Sequence, residues 1–174
     1  MKNFKGNVLF LDRSDINTDE IIPARYLTEI SKEALKPFLL EDLSIPGFDP
    51  RTDLNDKVVI VTRENFGSGS SREHAPWALE VNGITVVVAE NFARIFRQNM
   101  FNNGLLAIEL PKERIDHLFN QYAGGQTTME VDLENDLLKV NSSEKSDVIP
   151  FTIGGFDKTL VAEGGWINYA DKRY

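Results

Sequence analysis

The chain contains no cysteine. That forbids a disulfide framework, a thiolate nucleophile, a Cys-type zinc site and a conventional iron–sulfur cluster held by this polypeptide, so any such group must belong to another chain. Basic charge is also in deficit, with 19 Lys and Arg against 27 Asp and Glu and a formal net charge of -8. No broad field therefore attracts nucleic acid or an anionic membrane surface, and any anion must be gripped locally by a few groups. Long apolar runs are missing too. Residues 1–11 mix Lys2, Asn3, Lys5 and Asn7 with their apolar neighbours, so they form no signal-peptide h-region, and no later stretch approaches the ~18 apolar residues of a membrane span. Repeats, low-complexity blocks and long linkers are absent. The expectation is a soluble, cytoplasmic protein with no nucleic-acid or membrane partner.

What is present suffices for a core: 174 residues, 41% of them hydrophobic, fit a single domain over 1–174. Residues 6–11 have the apolar character of a first strand, and a polar loop leads to Ile21, Ile22 and Pro23. Ser31 fits an N-cap for a helix over 32–40, and 46–50 reads as a turn or extended connection. The middle is clearer. β-Branched runs at 57–61 and 84–89 flank a helical stretch at 72–82 closed by Gly83, giving strand, glycine loop, helix and strand. A second helix over 92–103 ends at Gly104, an apolar run follows at 105–110, and Pro111 opens a third helix ending near Gly124 and Gly125. Such alternation predicts an α/β core with parallel pairing. Beyond Gly125 the elements shorten to strands at 128–133, 137–140 and 148–153, then a short helix from Phe156 and a frayed charged tail.

Chemistry concentrates at 64–76, which reads E-N-F-G-S-G-S-S-R-E-H-A-P. Glycines let the backbone approach a ligand closely, and a helix starting near Ser71 would aim free N–H groups and its positive dipole end into the same space. Ser70 or Ser71 could be a plain N-cap. The functional reading draws on Arg72, whose guanidinium can grip a carboxylate bidentately, and on stabilised negative charge that would favour a Ser70 alkoxide as base. Glu73 and His74 fit acid, base or supporting roles as readily as structural hydrogen bonds, and His117 reads as structural. Three familiar motifs fail: G-S-G-S-S is not G-x-S-x-G, no G-x-x-x-x-G-K-[ST] exists, and G-x-G lacks its third spaced glycine.

A second polar cluster, D-I-N-T-D-E-I-I-P-A-R-Y-L at 15–27, reads either as a turn rich in Asx and Thr caps or as a pocket rim. In the second case Arg25 and Tyr26 offer a cation and a phenol, and Asp19 orients a partner's imidazole. Arg94 and Arg97 read as surface or packing residues.

These clusters, with E-N-F-G-S-G-S-S-R-E-H-A-P-W-A-L at 64–79 and N-F-A-R-I-F at 91–96, resemble the small subunits of 3-isopropylmalate dehydratase, the swivelling domain of the aconitase superfamily. The resemblance spans most of the chain. It implies a three-layer β/β/α swivelling domain and a large-subunit partner carrying a 4Fe-4S cluster on its own cysteines, with no cofactor or metal on this chain. It implies a hydro-lyase that moves a hydroxyl between neighbouring carbons of a hydroxy-dicarboxylate, from 2-isopropylmalate to 3-isopropylmalate, in leucine biosynthesis.

Residue by residue, the resemblance makes Ser70 the base, Arg72 the carboxylate-binding arginine and Ser71 an adjoining substrate contact. Asp19 falls where the family places an acidic residue near the active site, supporting a large-subunit histidine. Substrate choice falls to the loop Arg25, Tyr26, Leu27, Thr28 and Glu29. Relatives acting on homoaconitate carry an arginine at the position of Thr28, so this chain suits an apolar substituent, while Glu29 departs from the pattern and leaves a dimethylmalate-type acid open. Two other classes compete: a non-catalytic anion- or nucleotide-binding module, and a serine hydrolase pairing Ser70 with His74 or His117.

Overall fold

A computed structural model describes Met1–Tyr174. Strand β1 (Lys5–Phe10) leads through a loop to the single-turn helix α1 (Thr18–Ile21), two 3-10 segments (Ala24–Tyr26 and Glu33–Phe38) and the short α2 (Pro50–Asp53). Then come β2 (Lys57–Val61), α3 (His74–Val81), β3 (Val86–Ala89), α4 (Arg94–Asn102), β4 (Leu106–Glu109) and α5 (Lys112–Tyr122). The chain closes with β5 (Thr128–Asp132), β6 (Leu137–Asn141), β7 (Ser146–Pro150), α6 (Gly155–Glu163) and α7 (Trp166–Arg173).

All seven strands form one sheet in the order β4-β3-β2-β1-β5-β6-β7. Strands β1 to β4 pair in parallel and β5 to β7 antiparallel, joined where β1 meets β5 with Gly6 opposite Met129. The patterns explain this division. Every residue of β3 is buried, as in a parallel strand covered on both faces, whereas in β5 to β7 Met129, Leu138, Val140 and Ile149 are buried and the intervening Glu130, Lys139 and Val148 are not. A cluster of 45 buried apolar residues, from Phe4 to Val161, forms the core. No helix is long and apolar enough to cross a membrane.

The predicted α/β alternation holds through β4, and α3 and α4 end just before Gly83 and Gly104. Four boundaries differ. The stretch read as a helix over 32–40 is a 3-10 segment, since Pro37 lies inside it and offers no N–H for an α-helical ladder, although Ser31 Oγ does accept the Ala34 N–H at 3.3 Å. The last strand sits at Ser146–Pro150 rather than 148–153, because its register places Ser146 opposite Asn141. The tail is helical to Arg173, with Lys172 and Arg173 ion-paired to Glu163 of α6. The helix expected from 72 begins at His74, with consequences for the site.

His117 is structural, as its sequence context predicts: its Nε2 lies 3.0 Å from Asp147 Oδ2, which also accepts the Tyr122 hydroxyl, and this ties α5 to β7. Burial and that carboxylate push the Tyr122 phenol up to about 12, while the two bonds hold the Asp147 carboxyl below its usual range.

Candidate active site

The loops leaving the carboxyl ends of β1, β2 and β3 carry the three sequence motifs, and the fold sews these loops together. In open α/β sheets that end of parallel strands is where ligands bind. Gly67 N–H donates to the Ile16 carbonyl and Thr18 N–H to the Ser68 carbonyl, both at 2.8 Å, forming a bridge between Asn17 and Ser68. Phe66 bridges Phe92 in the same way. Beneath them, the Phe66 ring meets those of Phe92 and Phe96 edge-on at 6.1 and 5.4 Å. The N-F-A-R-I-F stretch thus acts as an aromatic floor.

Gly67 makes that contact possible. Its φ is +85°, and a Cβ there would lie 2.2 Å from Phe96 Cγ. Gly67→Ala is expected to destabilise the chain by about 3 kcal/mol or more, combining left-handed backbone strain with overpacking. Urea denaturation monitored by circular dichroism checks this, and a wild-type midpoint would contradict it.

On this floor, Asn17 and Glu20 form a reciprocal capping box that starts α1: Glu20 N–H donates to Asn17 Oδ1 at 2.9 Å and Asn17 N–H to Glu20 Oε1 at 3.1 Å. The cap reading of this cluster is therefore satisfied by Asn17. It leaves Asp19 exposed on the first turn, where its carboxylate ion-pairs with Arg72. Thr18, not singled out by the sequence, is buried and donates its hydroxyl to the Ser70 carbonyl at 2.8 Å. That bond fixes the backbone of the proposed base.

Gly69, Ser70 and Ser71 are exposed, and the backbone N–H groups of 69–73 donate to no carbonyl of the chain. Neither serine caps α3, whose first residue is His74. The dipole of a helix fades within its first turn, so at Ser70 it contributes less than a start at Ser71 would. The Arg72 cation is held by Asp19, and the N–H groups of 69–73 are left free for an anion.

The two neighbours of Arg72 brace the loop. Glu73 accepts the Asn103 amide at 3.0 Å. His74 Nε2 lies 2.9 Å from the Glu29 carbonyl, which can only accept, so this nitrogen carries the proton. His74 thereby ties the serine loop to the segment after Pro23.

In that segment, Arg25 is engaged by Asp42 and Glu41 at 2.9 Å, and it holds the Asp42 carboxyl below its ordinary range. The Tyr26 hydroxyl donates to Glu41 at 2.7 Å, and its ring stacks on Phe38. Leu27 is half-buried, and Thr28 and Glu29 are exposed. The structure brings Asp19, Ser70, Ser71 and Arg72 together, while the polar groups of Arg25 and Tyr26 are turned to Glu41 and Asp42, beyond the second 3-10 segment. Arg97 packs, donating to the Ala107 carbonyl at 3.1 Å and pairing with Glu109, and Arg94 is exposed. An open groove of about 1260 Å³ lies at the opposite end of the parallel strands, among Lys2, Lys57, Glu80 and Thr85.

Known proteins are similar to this chain in sequence and in fold. The aconitase C-terminal domain family matches residues 2–113. A 3-isopropylmalate dehydratase small subunit of Bacillus velezensis is 36% identical over 190 residues, 99% of this chain and 96% of that protein. One of Bacillus subtilis is 38% identical, across 94% and 85%. The crystal structure of a 3-isopropylmalate dehydratase from Methanocaldococcus jannaschii superposes with a TM-score of 0.79 at 31% identity, covering 98% of this chain and 94% of its own. The chain belongs to the aconitase C-terminal domain family, among the 3-isopropylmalate dehydratase small subunits.

The α/β class read from the sequence is therefore that of the aconitase C-terminal domain. Relatives called small subunits also account for a chain whose site loops lie open at its surface.

Proposed function

We propose that this chain is the small subunit of a heteromeric hydro-lyase that interconverts 2-isopropylmalate and 3-isopropylmalate by dehydration and rehydration in leucine biosynthesis, active only with a large subunit. The carrying observation is the meeting of Ser70, Arg72 and Asp19, from two distant motifs, at the carboxyl ends of adjacent parallel strands. In this reading the whole chain acts as one swivelling domain, since the apolar core runs from Phe4 to Val161.

Dehydration of a hydroxy-dicarboxylate requires loss of a carbon-bound proton and of a hydroxyl. Ser70 Oγ takes the proton; its backbone is fixed by Thr18 and its side chain is open to an incoming substrate. Arg72 grips one carboxylate through its guanidinium fork, and Ser71 with the free loop N–H groups contacts the same end of the substrate. The Arg25–Thr28 segment faces the substrate's side group. Its one cation is neutralised by Glu41 and Asp42, so this rim has no charge to spare for a third carboxylate and favours an apolar isopropyl group.

With no cysteine and no group of three or more metal-holding side chains, this chain does not fit a 4Fe-4S cluster. We assign the cluster to the large subunit, where it supplies the Lewis acid for hydroxyl departure.

Reconstitution with a large subunit and a substrate panel tests the function. Turnover of 2-isopropylmalate is expected with kcat/KM about tenfold or more above that of dimethylmalate or homoaconitate. Preference for either competitor would reject the substrate assignment. Tight phosphate or nucleotide binding by the chain alone, without turnover in the assembly, would favour a binding module instead.

A further inference from the structure

The Asp19–Arg72 ion pair is asymmetric: the Arg72 side chain is 14% exposed and that of Asp19 61%. A guanidinium withdrawn that far from water needs a counter-charge, and Asp19 is its only anionic partner in the chain. The seam beside both residues is held by Thr18 N–H on the Ser68 carbonyl and by the Thr18 hydroxyl on the Ser70 carbonyl, each at 2.8 Å. The Arg72 guanidinium lies against Asp19, so a carboxylate of this chain already stands at it. It is the same chemical group as the one a dicarboxylate substrate would bring.

We propose that Asp19 is a resident stand-in for a substrate carboxylate: it satisfies Arg72 while the site is empty and gives way when a hydroxy-dicarboxylate arrives. This inference rests on Arg72 as the carboxylate-binding residue of the reading above. Exchange is feasible because the outgoing carboxylate is largely solvated already, whereas Arg72 passes from one anion to another without being bared. Asp19 lies between Asn17 and Glu20 but makes neither bond of their capping box, so its side chain can leave Arg72 without unwinding α1. Once displaced, it becomes available to a group on the docked large subunit. Asp19 is thus a positioning residue with two partners in sequence. While it holds Arg72, apparent substrate affinity falls by the fraction of arginine so occupied, up to about fivefold for a pair with one exposed member.

The test is Asp19→Asn, which keeps the side chain's size and removes its charge. In the reconstituted assembly, KM for 2-isopropylmalate should fall about fivefold while kcat also falls, a split that general loosening of α1 would not produce. On the full-length chain alone, the Arg72 Nε–H resonance should respond to malate at about fivefold lower concentration in Asp19→Asn than in wild type. An unchanged or raised KM, or identical malate titrations, would overturn the stand-in role. If the wild-type assembly fails to turn over 2-isopropylmalate but the malate titrations differ as expected, the substrate assignment falls and the stand-in role survives.

Discussion

Ser70→Ala in the reconstituted enzyme is expected to lower kcat by about a thousandfold, within the range contributed by a positioned general base. Serine ionises far above neutral pH, so its use as a base requires strong stabilisation of the alkoxide. The site's direct source is the N–H groups of 69–73, which donate to no carbonyl of the chain, and Arg72, held by Asp19, belongs to the same loop. The helix dipole, displaced to His74, is a lesser source. The Ser70 side chain is exposed, and the bond that fixes its backbone uses its carbonyl, which alanine retains. Fold, assembly and substrate binding should therefore survive while proton abstraction fails. Unchanged melting temperature and subunit stoichiometry, with kcat lost and KM near wild type, is the expected pattern. A folded, fully assembled Ser70→Ala enzyme turning over at the wild-type rate would remove Ser70 from the chemistry.

What the sequence showed of this site was its local grammar. The run 57–89 could be read as strand, glycine loop, helix and strand because apolar periodicity and glycine punctuation are properties of neighbouring residues. The clusters at 15–27 and 64–76 likewise stood out by their density of polar atoms, with glycines in the second, whereas 91–96 entered only through the family resemblance. Their meeting was not written locally. Arg72 pairs with a carboxylate 53 positions away, and Ser70 receives its bond from a threonine 52 positions away, so both depend on β1 and β2 lying side by side. Helix starts were misjudged for a related reason. The serines at 70 and 71 look like caps, yet neither caps α3: the Ser70 carbonyl is taken by Thr18, and the N-cap is Glu73, whose carboxylate accepts the Asn103 amide. Arg25 shows the same limit. Its charge was visible as a candidate substrate contact, but its neutralisation by Glu41 and Asp42 depends on how the chain returns past the 3-10 segment.

Arg72→Lys should cost about 10- to 100-fold in kcat/KM, although charge is conserved. An ammonium can still pair with Asp19, so the seam between α1 and the serine loop should hold and stability should change little. What it cannot do is present two parallel N–H donors to one carboxylate, and its compact, strongly hydrated head resists the partial withdrawal from solvent seen for Arg72. If the clamp forms fully in the ground state, the loss appears in KM. If it tightens as negative charge grows toward proton transfer, kcat falls as well. Arg72→Met should be worse on both counts, because it removes the cation and every N–H donor to a substrate carboxylate. Steady-state kinetics on lysine and methionine variants, each checked for assembly, would decide between these patterns. Wild-type kcat and KM in Arg72→Lys would show that no carboxylate is held at this guanidinium, leaving the serine loop without its grip on substrate.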